Sequence, residues 1–148
     1  TFVPLYSLKA AAGNFGGAQR VEPEGWVKPA TERKLEPGMF VAQVVGKSME
    51  PRIPDSAYCL FRSPVTGTRQ GKIVVVELRN DIDPETGERY TVKRYESEKH
   101  VTEEGWHHTR IVLRPINRDF EPIVLSEADP GSLQVVAELL DVLGMPAE

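Results

Sequence analysis

Cysteine is almost absent from this sequence, and two other features are missing. Cys59 is the single cysteine among 148 residues, which excludes a framework of internal disulfides and is typical of a reducing cytoplasm. No uncharged apolar run approaches the roughly 20 residues that a helix needs to span a bilayer. No secretory signal pattern opens the chain. We therefore expect a cytoplasmic protein without a membrane partner.

Positive charge is also scarce. The 18 lysines and arginines are outnumbered by 22 aspartates and glutamates, which gives a net charge of −4. Because a surface that binds nucleic acid non-specifically is basic, we expect no direct nucleic-acid binding by this chain. A length of 148 residues, 40% of them hydrophobic, is enough for one domain with a packed core.

Short apolar runs separated by turn residues predict a mainly β fold. Proline, glycine and aspartate separate five runs rich in β-branched or aromatic residues, at 39–45, 57–62, 72–78, 90–95 and 110–113. Residues 73–76 are continuously apolar, so we expect a strand buried on both faces. The pattern favours a barrel or sandwich-like assembly of sheets over βαβ units.

Two segments are harder to interpret. Residues 133–143 fit a helix or a strand equally well, because Val135 and Val136 favour a strand while the alanine, glutamate and leucines after them favour a helix. Residues 10–17 are mostly alanine and glycine, so they have little to bury and should be mobile or weakly docked. We interpret residues 1–38 as a flexible N-terminal arm and residues 39–148 as the folded body.

Ser48 and Lys93 are the two residues whose chemistry stands out. Ser48 follows an apolar run, and Lys93 lies in a second apolar run. A serine hydroxyl needs a base within hydrogen-bond reach, and a neutral lysine amine can be that base if burial disfavours the ammonium. Gly46 would let a substrate backbone approach, and the backbone N–H of Ser48 is a candidate oxyanion donor. A turn hydroxyl and a surface lysine are the alternative interpretation.

A series of motifs along the chain favours the chemical interpretation. They are VVGKSMEP at 44–51, IPD at 53–55, GKIVVV at 71–76, YTVKR at 90–94, LRPIN at 113–117 and FEPI at 120–123. In this order they resemble the LexA-like family of Ser-Lys peptidases, which shares a core with membrane signal peptidases. The resemblance implies that Ser48 is the nucleophile and Lys93 the general base.

The same resemblance implies a fold, partners and a pathway. The family fold is a mainly β body of curved, irregular sheets, which favours a strand over 133–143. That strand often contributes to a dimer interface in the family, so a homodimer is expected. The resemblance also implies a regulatory role in an SOS-like response to DNA damage, linked to transcription regulation, with a RecA-type filament as the partner that promotes cleavage.

The arm resembles the self-cleavage region of that family. VPL at 3–5 is followed by Ala11, Ala12 and Gly13, and the family is cut at an Ala–Gly or Cys–Gly bond. The arm is then the substrate of its own chain, with Ala12–Gly13 as the preferred candidate bond and Ala11–Ala12 as the second. A flexible linker is the alternative interpretation of these small residues.

The sequence also departs from the family pattern. Ser56 replaces the usual glycine after the Pro–Asp turn, and a polar loop at 80–88 lengthens the interval between Ser48 and Lys93. We expect this loop on the surface. Its acidic residues lack the glycine and glutamate positions of a calcium loop and are interpreted as turn residues: Asp81, Asp83 and Glu85. No metal and no cofactor is expected.

A binding module is the competing function. The same fold could serve as a regulatory or dimerisation part of a larger DNA-processing protein, without significant proteolysis. Cleavage of other proteins in trans is a third hypothesis. The mass of the intact chain after incubation at alkaline pH distinguishes self-cleavage from the binding module.

Overall fold

Nine strands and one helix make up the regular structure of the residues that the computed structural model describes, which are 2–16, 20–101, 103–105, 107–126 and 131–144. In chain order they are β1 (Val3–Leu5), α1 (Leu8–Gly16), β2 (Gly25–Val27), β3 (Met39–Val44), β4 (Ala57–Arg62), β5 (Ile73–Leu78), β6 (Tyr90–Val101), β7 (His107–Arg114), β8 (Ile123–Ser126) and β9 (Leu133–Gly144). The prediction of a mainly β fold is confirmed. Each of the five apolar runs forms a strand, β3 to β7.

The described strands form a single open sheet in the order β2-β1-β3-β4-β9-β5-β6-β7-β8. The pairing of β1 with β3 is parallel, and the other pairings are antiparallel. The sheet does not close, so the predicted barrel or sandwich is replaced by one irregular sheet. Register shifts interrupt the ladders of β9 with β4 and with β5, and such shifts bend a sheet.

Strand β9 settles the structure of residues 133–143. It lies between β4 and β5, and Val136 and Ala137 are buried in its middle. Backbone hydrogen bonds to two neighbours and burial of the β-branched residues outweigh the helical propensity of the alanine, glutamate and leucines.

Strand β5 is buried on both faces, as its continuous apolar sequence predicted. Val75 packs into one hydrophobic cluster with Val92 of β6. Val74 and Val76 pack into a second cluster with Leu113 of β7. Because β5 and β6 are both fixed by these clusters, side chains on β6 that face the first cluster have little freedom.

Helix α1 corrects the interpretation of the arm. Ser7 accepts a hydrogen bond from the N–H of Ala10 at 3.1 Å and so caps the helix. Ala10, Ala11 and Ala12 are buried, and α1 packs against β9, β6, β3 and β5. The expectation of a mobile or weakly docked segment was wrong, because methyl side chains let a helix backbone approach the sheet closely. No helix in the described residues is long and apolar enough to cross a membrane.

Candidate active site

The turn after β3 carries Ser48. Gly46 has a φ of 114°, which favours glycine, and its N–H donates to Asp55 Oδ1 at 2.8 Å. This hydrogen bond is the main reason why the pKa of Asp55 is lowered. Ser56 has a φ of 69°, so the serine adopts the left-handed conformation of the glycine it replaces. The turn therefore holds the backbone before Ser48 in one conformation.

Lys93 lies on β6 opposite Val74 of β5. Its Nζ is 2.9 Å from the Oγ of Ser48, and the two residues are 3% and 6% exposed. Thr91 precedes Lys93 by two residues on the same strand, so both side chains leave the same face of the sheet. The Oγ1 of Thr91 is also 2.9 Å from the Nζ of Lys93.

Asp83 is the third neighbour of the lysine and was interpreted wrongly from the sequence. Its Oδ2 accepts hydrogen bonds from Lys93 Nζ at 2.9 Å and from Thr91 Oγ1 at 2.6 Å, and the residue is 3% exposed. The loop turns inward at this residue, where the lysine amine and the threonine hydroxyl give the buried carboxylate hydrogen-bond partners. Asp81 and Glu85 lie at the surface, as predicted. The signal available in the sequence was an acidic loop directly before the strand of a lysine that was expected to be buried.

The surroundings of Asp83 keep it ionised. Burial by itself raises the pKa of this carboxyl, but the hydrogen bond from Thr91 and the charge and hydrogen bond of Lys93 outweigh burial. The pKa of Asp83 therefore lies below its ordinary value. An ionised carboxylate thus contacts the lysine amine in a site from which bulk water is excluded, where electrostatic interactions are strong.

The carboxylate of Glu85 binds the backbone directly before Ser48. Its Oε2 accepts a hydrogen bond from the N–H of Lys47 at 2.8 Å. A Cβ atom at Gly46 would lie 2.7 Å from the Oε1 of Glu85, so the glycine makes room for this carboxylate. No acceptor for the N–H of Ser48 occurs among the described residues. Of these two consecutive N–H groups, that of Lys47 is thus bound to a carboxylate and that of Ser48 is available.

The space around Ser48 and Lys93 is small. A cavity of about 20 Å³ is lined by these two residues, by Asp83 and Thr86 of the loop and by Leu8 of α1. This volume holds about one water molecule and no peptide. The loop and the start of α1 thus close the site.

The candidate bond Ala12–Gly13 lies inside α1. Ala12 is 3% exposed, and the carbonyls and amides within a helix bond to one another. Leu8, one turn earlier, reaches the cavity. The structure therefore brings Ser48, Lys93, Asp83 and Thr91 together, while the candidate bond is held in a helix that packs on the same core. Within the described ranges, no group of three or more His, Cys, Asp or Glu could hold a metal ion.

Comparison with models of protein families gives a match. No curated protein matches the sequence. The family model described as Peptidase S24-like matches residues 4–140, a range that includes Ser48, Lys93 and most of the arm. This agrees with the resemblance that the sequence motifs indicated. The chain therefore belongs to the Peptidase S24-like family.

Proposed function

We propose that the chain is a serine peptidase that cuts its own N-terminal arm at Ala12–Gly13 with Ser48 as nucleophile and Lys93 as general base. The observation that supports this most is the 2.9 Å contact between Lys93 Nζ and Ser48 Oγ in a buried site. A lysine and a serine that pack together only for stability would not need to leave a cavity beside the hydroxyl. Family membership supports the same reaction class.

The reaction begins with a neutral Lys93. Its amine takes the proton of the Ser48 hydroxyl while Oγ attacks the carbonyl carbon of Ala12, and the N–H of Ser48 stabilises the oxyanion. The bond to the nitrogen of Gly13 then breaks, and the Lys93 ammonium gives its proton to this leaving amine. The product is an ester between Ser48 and the first twelve residues. A water molecule that loses its proton to Lys93 hydrolyses this ester and restores the hydroxyl.

Two movements precede the chemistry in this proposal. The backbone around Ala12 leaves its helical conformation, because a peptidase needs a carbonyl that is not already in an intrahelical hydrogen bond. The part of the loop around Thr86, which lines the 20 Å³ cavity, moves outward so that a peptide can enter. Cleavage is thus slow in the closed state and is controlled by docking of the arm.

The intact mass of the chain tests this function. The purified protein is incubated between pH 7 and about 10, and loss of residues 1–12 is followed by mass spectrometry. We expect the rate to rise with pH as the base loses its proton, and Ser48→Ala and Lys93→Ala to abolish cleavage. Ser97→Ala and Lys99→Ala change the same residue types on β6, away from the cavity, and should cleave as the unmodified chain does.

The results separate the hypotheses. Persistence of the full-length mass in every sample favours the regulatory or dimerisation module. A rate that does not change between pH 7 and 10 contradicts a lysine base. A rate that is independent of protein concentration indicates cleavage in cis, and a rate that grows with concentration indicates cleavage in trans.

The biological setting belongs to the same proposal. The resemblance to LexA-like peptidases supports a role in a DNA-damage response, in which a RecA-type filament accelerates cleavage and the chain forms a homodimer. Adding such a filament to the cleavage assay and measuring the molar mass in solution test these two partners separately.

A further inference from the structure

The contacts of Lys93 define which way its amine points. Nζ has three hydrogen-bond partners at 2.9 Å, which are Ser48 Oγ, Asp83 Oδ2 and Thr91 Oγ1. The hydroxyl of Thr91 donates its one hydrogen to Asp83 at 2.6 Å, so toward Lys93 its oxygen can act only as an acceptor. Asp83 and Thr91 are therefore both acceptors for Lys93.

A neutral amine has two hydrogens and one lone pair. When Asp83 and Thr91 accept the two hydrogens, the lone pair is left toward the third partner, the hydroxyl of Ser48. This is the geometry that a general base needs. Without either acceptor, the amine could rotate and donate a hydrogen to Ser48, which would make the lysine a poor base.

Asp83 itself is fixed by its two oxygens. Oδ2 accepts from Lys93 and Thr91, while Oδ1 accepts from the N–H of Glu85 at 2.8 Å. The N–H of Asp83 donates to the carbonyl of Glu88 at 2.8 Å. Because both oxygens are acceptors, an amide in this place would present one donor where an acceptor is needed.

We propose that Asp83 is a positioning residue of the reaction, which directs the lone pair of neutral Lys93 at Ser48 and stabilises the ammonium that forms when Lys93 takes the serine proton. This inference rests on the proposed function and extends it from a pair to a Ser-Lys-Asp arrangement with Thr91 as a bridge. Asp83 stays ionised throughout and does not touch the substrate. The loop at 80–88 is then part of the machinery.

Few other groups can affect the titration of Lys93. The titratable side chains that line the cavity with it are Asp83 and Tyr90. Helix α1 contributes Leu8 and strand β3 contributes Val44, and neither titrates. Glu85 lies at the edge of the site, where Lys47 donates to it. A change in the titration of Lys93 on substitution of Asp83 therefore reports on their contact.

The first test measures that contact without cleavage. In the Ser48→Ala background, lysine labelled with ¹³C at Cε is titrated by NMR with and without Asp83→Asn. We expect the Cε signal of Lys93 to titrate differently in Asp83→Asn, with the midpoint moved to lower pH, because an adjacent negative charge favours the ammonium. Asp81→Asn, in the same loop but at the surface, is the matched control and should leave the titration unchanged.

The second test measures the reaction. We expect Asp83→Asn to lower the maximal cleavage rate on the order of 100-fold, because misaligned groups lose about that factor, and to move the midpoint of the rate–pH profile downward. Thr91→Val keeps both charges and the fold while removing the bridge, and it should slow cleavage in the same direction. It replaces Asp83→Asn as the deciding variant if circular dichroism shows that the latter does not fold.

The outcomes are distinguishable. An unchanged or faster rate in Asp83→Asn and Thr91→Val, with Ser48→Ala inactive, overturns the role of Asp83 alone. A lower melting temperature with an unmoved pH profile and an unmoved Lys93 titration also overturns it, since a merely structural residue would behave in that way. Cleavage by Ser48→Ala at the unmodified rate overturns the proposed function itself.

Discussion

Asp83, in the loop before β6, and Glu138, on β9, are two buried carboxylates with the same kinds of partner. Each side chain is 4% exposed. Each accepts a hydrogen bond from a threonine hydroxyl, Thr91 for Asp83 and Thr66 for Glu138, and each contacts a lysine at 2.9 Å. Their immediate chemistry is nearly identical.

The cations make the difference. Glu138 binds two of them, Arg62 at 2.6 Å and Lys72 at 2.9 Å, whose side chains are 26% and 34% exposed. Among the cations of the described residues, Asp83 binds Lys93 alone, which is as buried as the carboxylate and also contacts a hydroxyl. Glu138 therefore ties β9 to β4 and to the start of β5, with its charge neutralised from two sides. The contact between Lys93 and the hydroxyl of Ser48, and not the ion pair itself, therefore distinguishes the cluster of Asp83 from that of Glu138.

The largest expected contrast is between the two lysines. Lys93→Met should lower the cleavage rate by at least about 1,000-fold, whereas Lys72→Met should leave it within about twofold of the unmodified chain. Intact-mass kinetics measure both. Because Lys93→Met leaves a buried charge unpaired, Lys93→Met combined with Asp83→Asn serves as a folded control. Slow cleavage in Lys72→Met as well would remove the distinction between the clusters.

Glu138 should matter for stability. Glu138→Gln leaves Arg62 and Lys72 without a charged partner, although both can turn to solvent. We expect a loss of about 2 kcal/mol in the free energy of unfolding, measured by urea denaturation, with cleavage of the folded fraction unchanged. A loss below about 0.5 kcal/mol would mean that this cluster does not hold the strands together.

Acid should weaken both clusters. Burial by itself raises the pKa of Glu138, but the hydrogen bonds from Lys72, Arg62 and Thr66 have the larger effect, so the pKa is lowered overall. The pKa of Asp83 is lowered as well. A carboxyl with a lowered folded pKa stabilises the fold above its unfolded pKa of about 4, and this stability is lost as the pH falls through the folded value. The free energy of unfolding should therefore fall as the pH drops below about 5. The fall should be shallower in Glu138→Gln and in Asp83→Asn, and equal slopes in all three chains would contradict these pKa directions.

The two threonines should give the smallest effects. Thr66 is exposed, so Thr66→Val should cost less than about 1 kcal/mol of stability and leave cleavage unchanged. Thr91→Val should slow cleavage by about tenfold, because a bridge of this kind contributes on the order of 1 kcal/mol to alignment. Urea denaturation and mass spectrometry on both variants check this pair. Equal cleavage rates would mean that Thr91 is a packing residue, like Thr66.

The sequence predicted those parts of the molecule whose pattern is local. Apolar runs with turn residues between them identified β3 to β7. The motif series singled out Ser48 and Lys93, whose side chains lie 2.9 Å apart in the structure. The contacts of Glu138 were not predicted, because its partners Arg62, Thr66 and Lys72 lie 66 to 76 residues earlier and meet it only in the folded sheet. The partners of Asp83 lie 8 and 10 residues later in the chain, and its contacts were missed for another reason. Glu138 lay in a segment that fitted a helix as well as a strand. Asp83 lay in a loop whose composition is that of an ordinary surface turn.

Helix α1 was missed for a related reason. A run of alanine and glycine carries no strong apolar period, and an isolated helix of this length is marginal in water. It forms because the sheet offers a surface onto which Ala11 and Ala12 fit. The helix is thus specified by the fit between α1 and the surface of the sheet, which the sequence of α1 alone does not show.

The position of Ala12–Gly13 within this helix has a consequence for how long the uncut chain survives. If the nine-residue helix α1 must unwind before this bond can react, warming accelerates cleavage in two ways, by favouring the unwound helix and by speeding the breaking of the bond. The lifetime of the intact polypeptide should then shorten much more steeply with temperature than hydrolysis of an unstructured peptide. A rise of a few degrees would then increase the fraction of the protein that has irreversibly lost residues 1–12.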